Sequence, residues 1–524
     1  MIRLPEIFSD GVTLQREKPI RLWGYSDCPQ QVLVFIGSRA VSEEVSINGK
    51  FEILLPSQKA EIGTTLLIEG SVDRVLIKDV NIGEVWIAGG QSNMEFRLEF
   101  DADYEAALLD GGDDNLRFFD VGKYSFFGEK KEGLKDASGW DRWLKFSAES
   151  AKYFSAVGYY FAKKLRERYG VPVAVIGCNR DNTSASVWLD RQSLEESTNL
   201  RVYIDEYKER TRNLNMDEYL RKSRLVREAK YSPEMQSLYK KLLKGNARLF
   251  DELRVLPLVP KFLYYKKEIG PLSQHRPGGL YNSMVLKIAG FACRGVIFYQ
   301  GEADAAKADI YAELFTALIK CWRCAWEEDL PFLFVQLAPF SRWELLRGDN
   351  FPIVRQQQEK VSKTVPGAYM VSIMDAGMEY DIHPKMKRPV GERLALSARG
   401  KVYGEDILCE PPEFKEAQLI GDTLIISFNN AGEGLYIEGE ELNACRLFDG
   451  RNEIEKYTAS VSGDVLNITD KELSRAEEVE IRFAFEPYCE VNLYNSAQLP
   501  CKPFKARAEN RRPDKGLLDY FAGR

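Results

Sequence analysis

The stretch GEVWIAGGQSNM, residues 83–94, decides how the rest of the chain is read. Glu84 to Ala88 form an apolar, partly β-branched run suited to a buried strand, and Gly89 and Gly90 then permit a turn too tight for side chains. Ser92 therefore stands just past a strand end, where a helix is expected to begin. A hydroxyl placed there lies at the edge of a sheet, and amides at the start of the helix can stabilise negative charge beside it. The plain alternative for such a serine is a turn residue or a helix N-cap.

On either side of this stretch the pattern changes. Residues 1–79 carry short alternating runs, VLVFI at 32–36, FEILL at 51–55 and TLLIEG at 65–70, which read as an N-terminal β-domain of sandwich-like type. From Val80 to about Gly400 apolar runs alternate with amphipathic ones. VPVAVIGC (171–178), RGVIFYQ (294–300) and LPFLFVQL (330–337) read as buried parallel strands, and residues 156–170 and 309–326 as helices feeding them. That alternation predicts an α/β fold with a doubly wound parallel sheet, whose ligands lie beyond the carboxyl ends of the strands.

Residues from about 193 to 255 are charged and helical, a solvated insertion or a substrate-gating lid. Residues 401–510 return to β patterning as a C-terminal β-domain, and 511–524 form a polar tail.

With 524 residues the chain exceeds a single hydrophobic core. Its net charge of -7 argues against nucleic acid or an anionic membrane as partner. A basic-then-apolar leader and an apolar run of membrane-spanning length are both lacking, and nine cysteines fall without framework spacing. Together these suggest a cytoplasmic protein with reduced thiols, acting as a monomer or homodimer.

Histidine is informative because there are two, His275 and His383. His383 follows Asp381 in EYDIHPKMKRPVGERLALSA, late in the α/β region, whereas His275 lies in the loop SQHRPGGLYN, where a structural role is the simpler reading. Imidazole is the usual general base for a serine hydroxyl near neutral pH. A third segment, RGVIFYQGEADA (294–305), ends a strand with Gln300, Gly301 and Glu302; an amide there can donate to a developing oxyanion.

GEVWIAGGQSNM, GVIFYQGEADA and DIHPKMKRPVGERLALSA, in this order, resemble the sialate O-acetylesterase family of SGNH (GDSL-like) hydrolases. The likeness extends through FSDGVTLQREKPIRLWGY, RPGGLYNSMV, LPFLFVQLAPF and NLYNSAQLPCKPF, and so spans nearly all the chain except the charged insertion. The resemblance implies an SGNH domain over residues 80–400, flanked by the two β-domains, that hydrolyses O-acetyl esters of sugars. It implies Ser92 as nucleophile, His383 as general base, and an oxyanion hole built from the Ser92 amide, Gln300 and the amide of residue 182.

This chain departs from the family at the last of these: the usual Gly-Gly-Thr turn reads Asp181-Asn182-Thr183. Asn tolerates φ > 0 and so can keep the amide in place, whereas a carboxylate at 181 facing an oxyanion would raise the barrier. Asp381 is the first choice to orient the imidazole, with Asp375, Glu379 or a backbone carbonyl as alternatives. Asn93, Glu302 and Arg355 are substrate-binding candidates, although a surface ion pair is the simpler reading of Arg355. Tyr299, Tyr281 and Trp188 could line a sugar pocket or merely pack.

No cofactor or metal is implied by this chemistry, and the lone CxxC at Cys321 and Cys324 has no second pair to complete a zinc site. Acetylated sialic acid is the expected substrate, with acetylated xylan or xyloglucan oligosaccharides as the alternative. The altered turn also leaves open a sugar-binding protein without turnover.

Overall fold

A computed structural model describes residues 1–45, 49–109, 111–129, 139–230, 237, 240–241, 243–244, 269–343 and 346–510. The expected tail and most of the insertion beyond Lys230 lie outside the described residues. The chain divides into two units, one of Met1–Phe334, Val361–Tyr369 and Lys385–Ala395, the other of Val335–Lys360, Met370–Pro384 and Leu396–Arg524.

The first unit is built on one long strand, β1 (Arg74–Gly90). Its first half pairs antiparallel with Glu61–Gly70, and its second half lies between two parallel neighbours. The change of character at Val80 therefore marks a change of strand partner inside one continuous strand rather than a linker. Every residue from Val80 to Gly90 is buried, because this half has a sheet neighbour on either side and packing on both faces.

The remaining strands are β2 (Asp113–Asp120), β3 (Trp143–Phe146), β4 (Val173–Asn179), β5 (Gly295–Tyr299), β6 (Phe332–Val335) and β7 (Ala368–Val371). Their order in the sheet is β3-β2-β4-β1-β5-β6-β7, with β3 antiparallel to β2. From β1 the chain crosses to β2 on one side, returns through β4, and then continues on the other side with β5. The reversal falls between β1 and β5, and a crevice at the carboxyl ends beside such a reversal is where α/β sheets bind ligands. Asn179 and Tyr299 both stand opposite Gly90, so three strands end level there.

Two helices illustrate how local sequence builds the layers. In α2 (Ala156–Tyr169) the Ser155 hydroxyl caps the start by accepting from the Gly158 amide at 3.1 Å, and Gly170 ends it in the left-handed region at φ 68°. In α3 (Tyr311–Trp326) Leu314, Phe315, Leu318, Ile319, Trp322 and Trp326 form the buried stripe, and Phe315 stacks on Phe298 of β5 at 5.2 Å. At the opposite end of the sheet from Ser92, Glu84 is fully buried between Arg16 (2.6 Å) and Arg294 (2.9 Å). That paired carboxylate ties the N-terminal segment and the start of β5 to β1.

In the second unit, Glu413–Ile420, Thr423–Asn429, Val465–Thr469 and Thr458–Ser462 form one antiparallel sheet, in that order. Asn452–Ile454, Cys445–Asp449, Glu478–Phe483 and Phe504–Glu509 form another. Alternating residues of both, among them Leu424, Ile426, Leu466, Ile468, Val479 and Ile481, share one core.

Gly90 is the tightest point of the first unit. Its φ is 131°, and a Cβ there would lie 2.1 Å from the Tyr299 carbonyl oxygen. Gly90→Ala should destabilise the protein by about 3 kcal/mol or more, through strain and strand separation. Chemical denaturation measures this, and an unchanged transition midpoint would contradict the packing described.

Candidate active site

Past Gly90 the chain makes one helical turn, α1 (Ser92–Glu95), in which the Met94 and Glu95 amides both donate to the Gln91 carbonyl at 2.9 Å. The expected helix is thus only four residues long, and any support for charge at Ser92 comes from individual amides rather than from a macrodipole. Ser92 is half-buried, and among the described residues no hydrogen bond of its own unit engages its hydroxyl.

The turn after β4 lies one row beyond the same strand ends, with the Arg180 amide donating to the Gly90 carbonyl at 3.1 Å. Asn182 has φ 51°, the left-handed conformation that a glycine would otherwise supply. The Asp181 carboxylate lies 3.7 Å from the Arg180 guanidinium, and its carbonyl accepts from the Gln274 side chain at 2.9 Å. An arginine beside it answers the charge that this position brings into the turn. Thr183 is held from three directions: its hydroxyl donates to the Arg180 carbonyl (2.7 Å) and accepts from Trp188 (3.0 Å), and its carbonyl accepts from Gln300 (3.1 Å).

Gln300 departs from the expected role of oxyanion donor. Its Nε2 lies within hydrogen-bond distance of Gln91 Oε1 (3.1 Å), the Thr183 carbonyl (3.1 Å) and Asp304 Oδ2 (2.7 Å), while Tyr311 donates to its Oε1 at 2.9 Å. An amide nitrogen has two protons, and both have acceptors inside the protein. Gln300 braces the turn between β1, β4 and β5 instead.

Asp304, which the motif reading passed over, is the hub of this bracing. It accepts from Gln300, from the Ala185 amide (2.8 Å), from Ser184 (2.5 Å) and from Tyr203 (2.8 Å). Its only sequence signal is an acidic residue in the polar segment after a strand end. Tyr203 belongs to the helix Arg201–Thr211, the start of the charged insertion, so this part is anchored on the site rather than merely solvated.

Asn93 is also engaged internally. It is buried, its Nδ2 donates to Glu302 Oε1 at 2.6 Å, and its Oδ1 accepts from Lys387 Nζ at 2.6 Å. Glu302 is half-buried, and among the described residues its Oε2 has no hydrogen-bond partner. Burial pushes its carboxyl above the usual range, while the Asn93 bond and the Lys387 charge draw it back. Trp188 and Tyr299 are wholly buried and pack within the core, so neither lines a sugar pocket; Tyr281 is half-buried.

The second unit carries His383, Asp381 and Arg355. His383 is almost enclosed and meets the Trp343 ring edge-on at 5.4 Å. Asp381 Oδ1 accepts the His383 backbone amide at 2.8 Å and lies 3.9 Å from Nδ1, too far for a hydrogen bond. In this arrangement Asp381 stiffens the turn that carries the imidazole. Its alternative Asp375 accepts from Tyr494 at 3.4 Å.

Arg355 does not match its reading as a surface ion pair. It is fully buried and donates to the carbonyls of Leu337 (3.0 Å), Ala338 (3.3 Å), Glu486 (2.8 Å) and Pro487 (2.7 Å). It therefore does not sit at the surface, and backbone carbonyls that would otherwise lack donors engage its guanidinium.

Comparison with known proteins adds an independent finding. Residues 269–398, which include Gln300 and His383, match the family model for carbohydrate esterase, sialic acid-specific acetylesterase. The sialate O-acetylesterase of Rattus norvegicus is 25% identical, over 80% of this chain and 77% of its own. That of Mus musculus is 23% identical, over 90% and 84%. A crystal structure of a carbohydrate acetylesterase from Xanthomonas citri superposes with a TM-score of 0.73 at 27% identity, covering 97% of this chain and 99% of that one.

Arg355→Met should unfold the second unit rather than weaken substrate binding. The expected cost is about 3 kcal/mol or more, from carbonyls left buried without donors. Thermal unfolding and KM measured together decide this; a stable variant with a raised KM would restore the binding role.

Proposed function

We propose that this chain, a carboxylic ester hydrolase similar to the sialate O-acetylesterases, removes O-acetyl groups from carbohydrates by an SGNH-type serine mechanism. The observation that carries this is Ser92: a half-buried hydroxyl, unengaged by the described residues of its own unit, at the carboxyl edge of the sheet beside the strand reversal.

In the proposed reaction His383 takes the Ser92 proton as Oγ bonds to the acetyl carbon. The carbonyl electrons move onto oxygen, where the amides of Ser92 and Asn182 receive them; each such donor is worth about 3 kcal/mol in comparable sites. Collapse of this intermediate breaks the bond to the sugar oxygen, which takes the proton from His383. Water, deprotonated by the same imidazole, then releases acetate and regenerates the serine. Asp381 is proposed to swing toward Nδ1 as the site fills, since catalytic hydrogen bonds often tighten only when substrate is bound.

Asn182 at φ 51° and the Arg180 beside Asp181 support retention of the oxyanion turn despite its altered sequence. Acetylated sialic acid is the first substrate proposed, because the relatives carry that name. A neutral acetylated xylan or xyloglucan oligosaccharide is the second reading, favoured by the burial of Arg355 against backbone carbonyls. The proposed setting is the cytoplasm, which nine free thiols support.

Acetate release from a panel of acetylated sialic acids and acetylated xylo-oligosaccharides tests the proposal. Turnover by the wild type that falls by about a thousandfold or more in Ser92→Ala is expected. Turnover that survives the substitution, or none with any acetyl ester, would overturn it.

A further inference from the structure

Lys387 lies four residues after His383 and has no part in the reaction proposed above. It is completely buried in the first unit, which holds Ser92. Its ammonium donates to Asn93 Oδ1 at 2.6 Å and lies over the rings of Phe96 (4.8 Å) and Tyr299 (5.6 Å). Its main chain is fixed as well. The amide donates to Asp101 Oδ2 at 2.8 Å, and the carbonyl accepts from Gly391 at 3.1 Å in the first turn of α4 (Arg388–Lys401). Asp101 Oδ1 in turn accepts from Tyr160 at 2.6 Å.

These contacts decide the orientation of Asn93. An ammonium can only donate, so the amide oxygen must face Lys387. An ionised carboxylate can only accept, so the amide nitrogen must face Glu302. Turning the carboxamide over would set two donors against each other at one end and two acceptors at the other. A buried cation and a half-buried anion are thus joined through one neutral side chain, and that side chain belongs to the residue next to Ser92. A neutral donor in place of Lys387 could hold Asn93 equally well. It would leave the Glu302 carboxylate without a compensating charge in a site that disfavours ionisation.

We propose that Lys387 is a positioning residue: acting through Asn93, it fixes the turn that presents Ser92 and offsets the charge of the Glu302 carboxylate on the far side of the same amide. The inference rests on the esterase reading and extends it to a residue outside the reacting set.

The test uses the full-length enzyme with an activated acetyl ester, which needs no sugar recognition. Lys387→Met, Asn93→Leu and the double variant are compared for kcat, KM and unfolding midpoint. Each single variant should lower kcat about tenfold or more, as loss of positioning does, with KM within about twofold. The double variant should be no slower than the worse single, because both cut the same bridge. Unchanged kcat in either single variant, or losses that multiply in the double, would overturn the proposal.

Should Lys387→Met fail to fold, Asn93→Leu with and without Glu302→Gln decides. Coupled losses support the bridge, and independent losses refute it. Ser92→Ala separates the two levels of the account. Without Ser92-dependent hydrolysis in the wild type the esterase reading itself fails, whereas such hydrolysis indifferent to Lys387 and Asn93 refutes the bridge alone.

Discussion

The close approach of two main chains, Gly90 of β1 and Tyr299 of β5, is the constraint from which the first unit's site follows. With no Cβ in the way, β5 pairs with β1 up to its last residue, and β4 pairs equally far on the other side. Three chains therefore leave the sheet at one level. The first carries Ser92, the second the Arg180–Thr183 turn, and the third Gln300 and Glu302. Strand register, set by buried apolar residues far from any chemistry, brings polar residues from distant parts of the sequence side by side.

What keeps these turns in place is a network of buried polar groups rather than apolar packing. Asp304 gathers four donors from three segments, Gln300 spans the ends of three strands, and Lys387 and Glu302 meet through Asn93. Such a network is stable only when its members are satisfied, and one left half-satisfied costs more than an apolar core.

The strands, the main helices and the glycine bend were legible in the sequence because each rests on local pattern: continuous apolar runs for strands buried on both faces, a 3.6-residue stripe for α3, two glycines before Ser92. The turn at Asn182 was legible only through the family resemblance, with Asn among the few residues other than glycine that accept its backbone. The continuity of β1 across Val80 was not, because a change of sheet partner alters composition as a linker would. Roles that depend on partners far along the chain were misread. Gln300 and Asn93 carry groups able to serve substrate, but Asp304, Thr183, Lys387 and Glu302 claim them first. Arg355 looked like a surface charge because its acceptors are main-chain carbonyls, which leave no mark in composition. Lys387 and Asp304 passed unnoticed because a charged residue in a polar segment is ordinarily solvated, and only the fold shows that these two are not.

The central claim is that Ser92 is an activated nucleophile and that His383, rather than His275, activates it. A fluorophosphonate that forms a covalent phosphonyl bond with such a hydroxyl tests this directly, with the modified peptide located by mass spectrometry and the labelling rate followed in His383→Ala and His275→Ala. The account predicts modification of Ser92 in the wild type and in His275→Ala, and at least about a hundredfold slower reaction in His383→Ala. Modification at a different residue, or labelling of Ser92 that proceeds undiminished without His383, would contradict it.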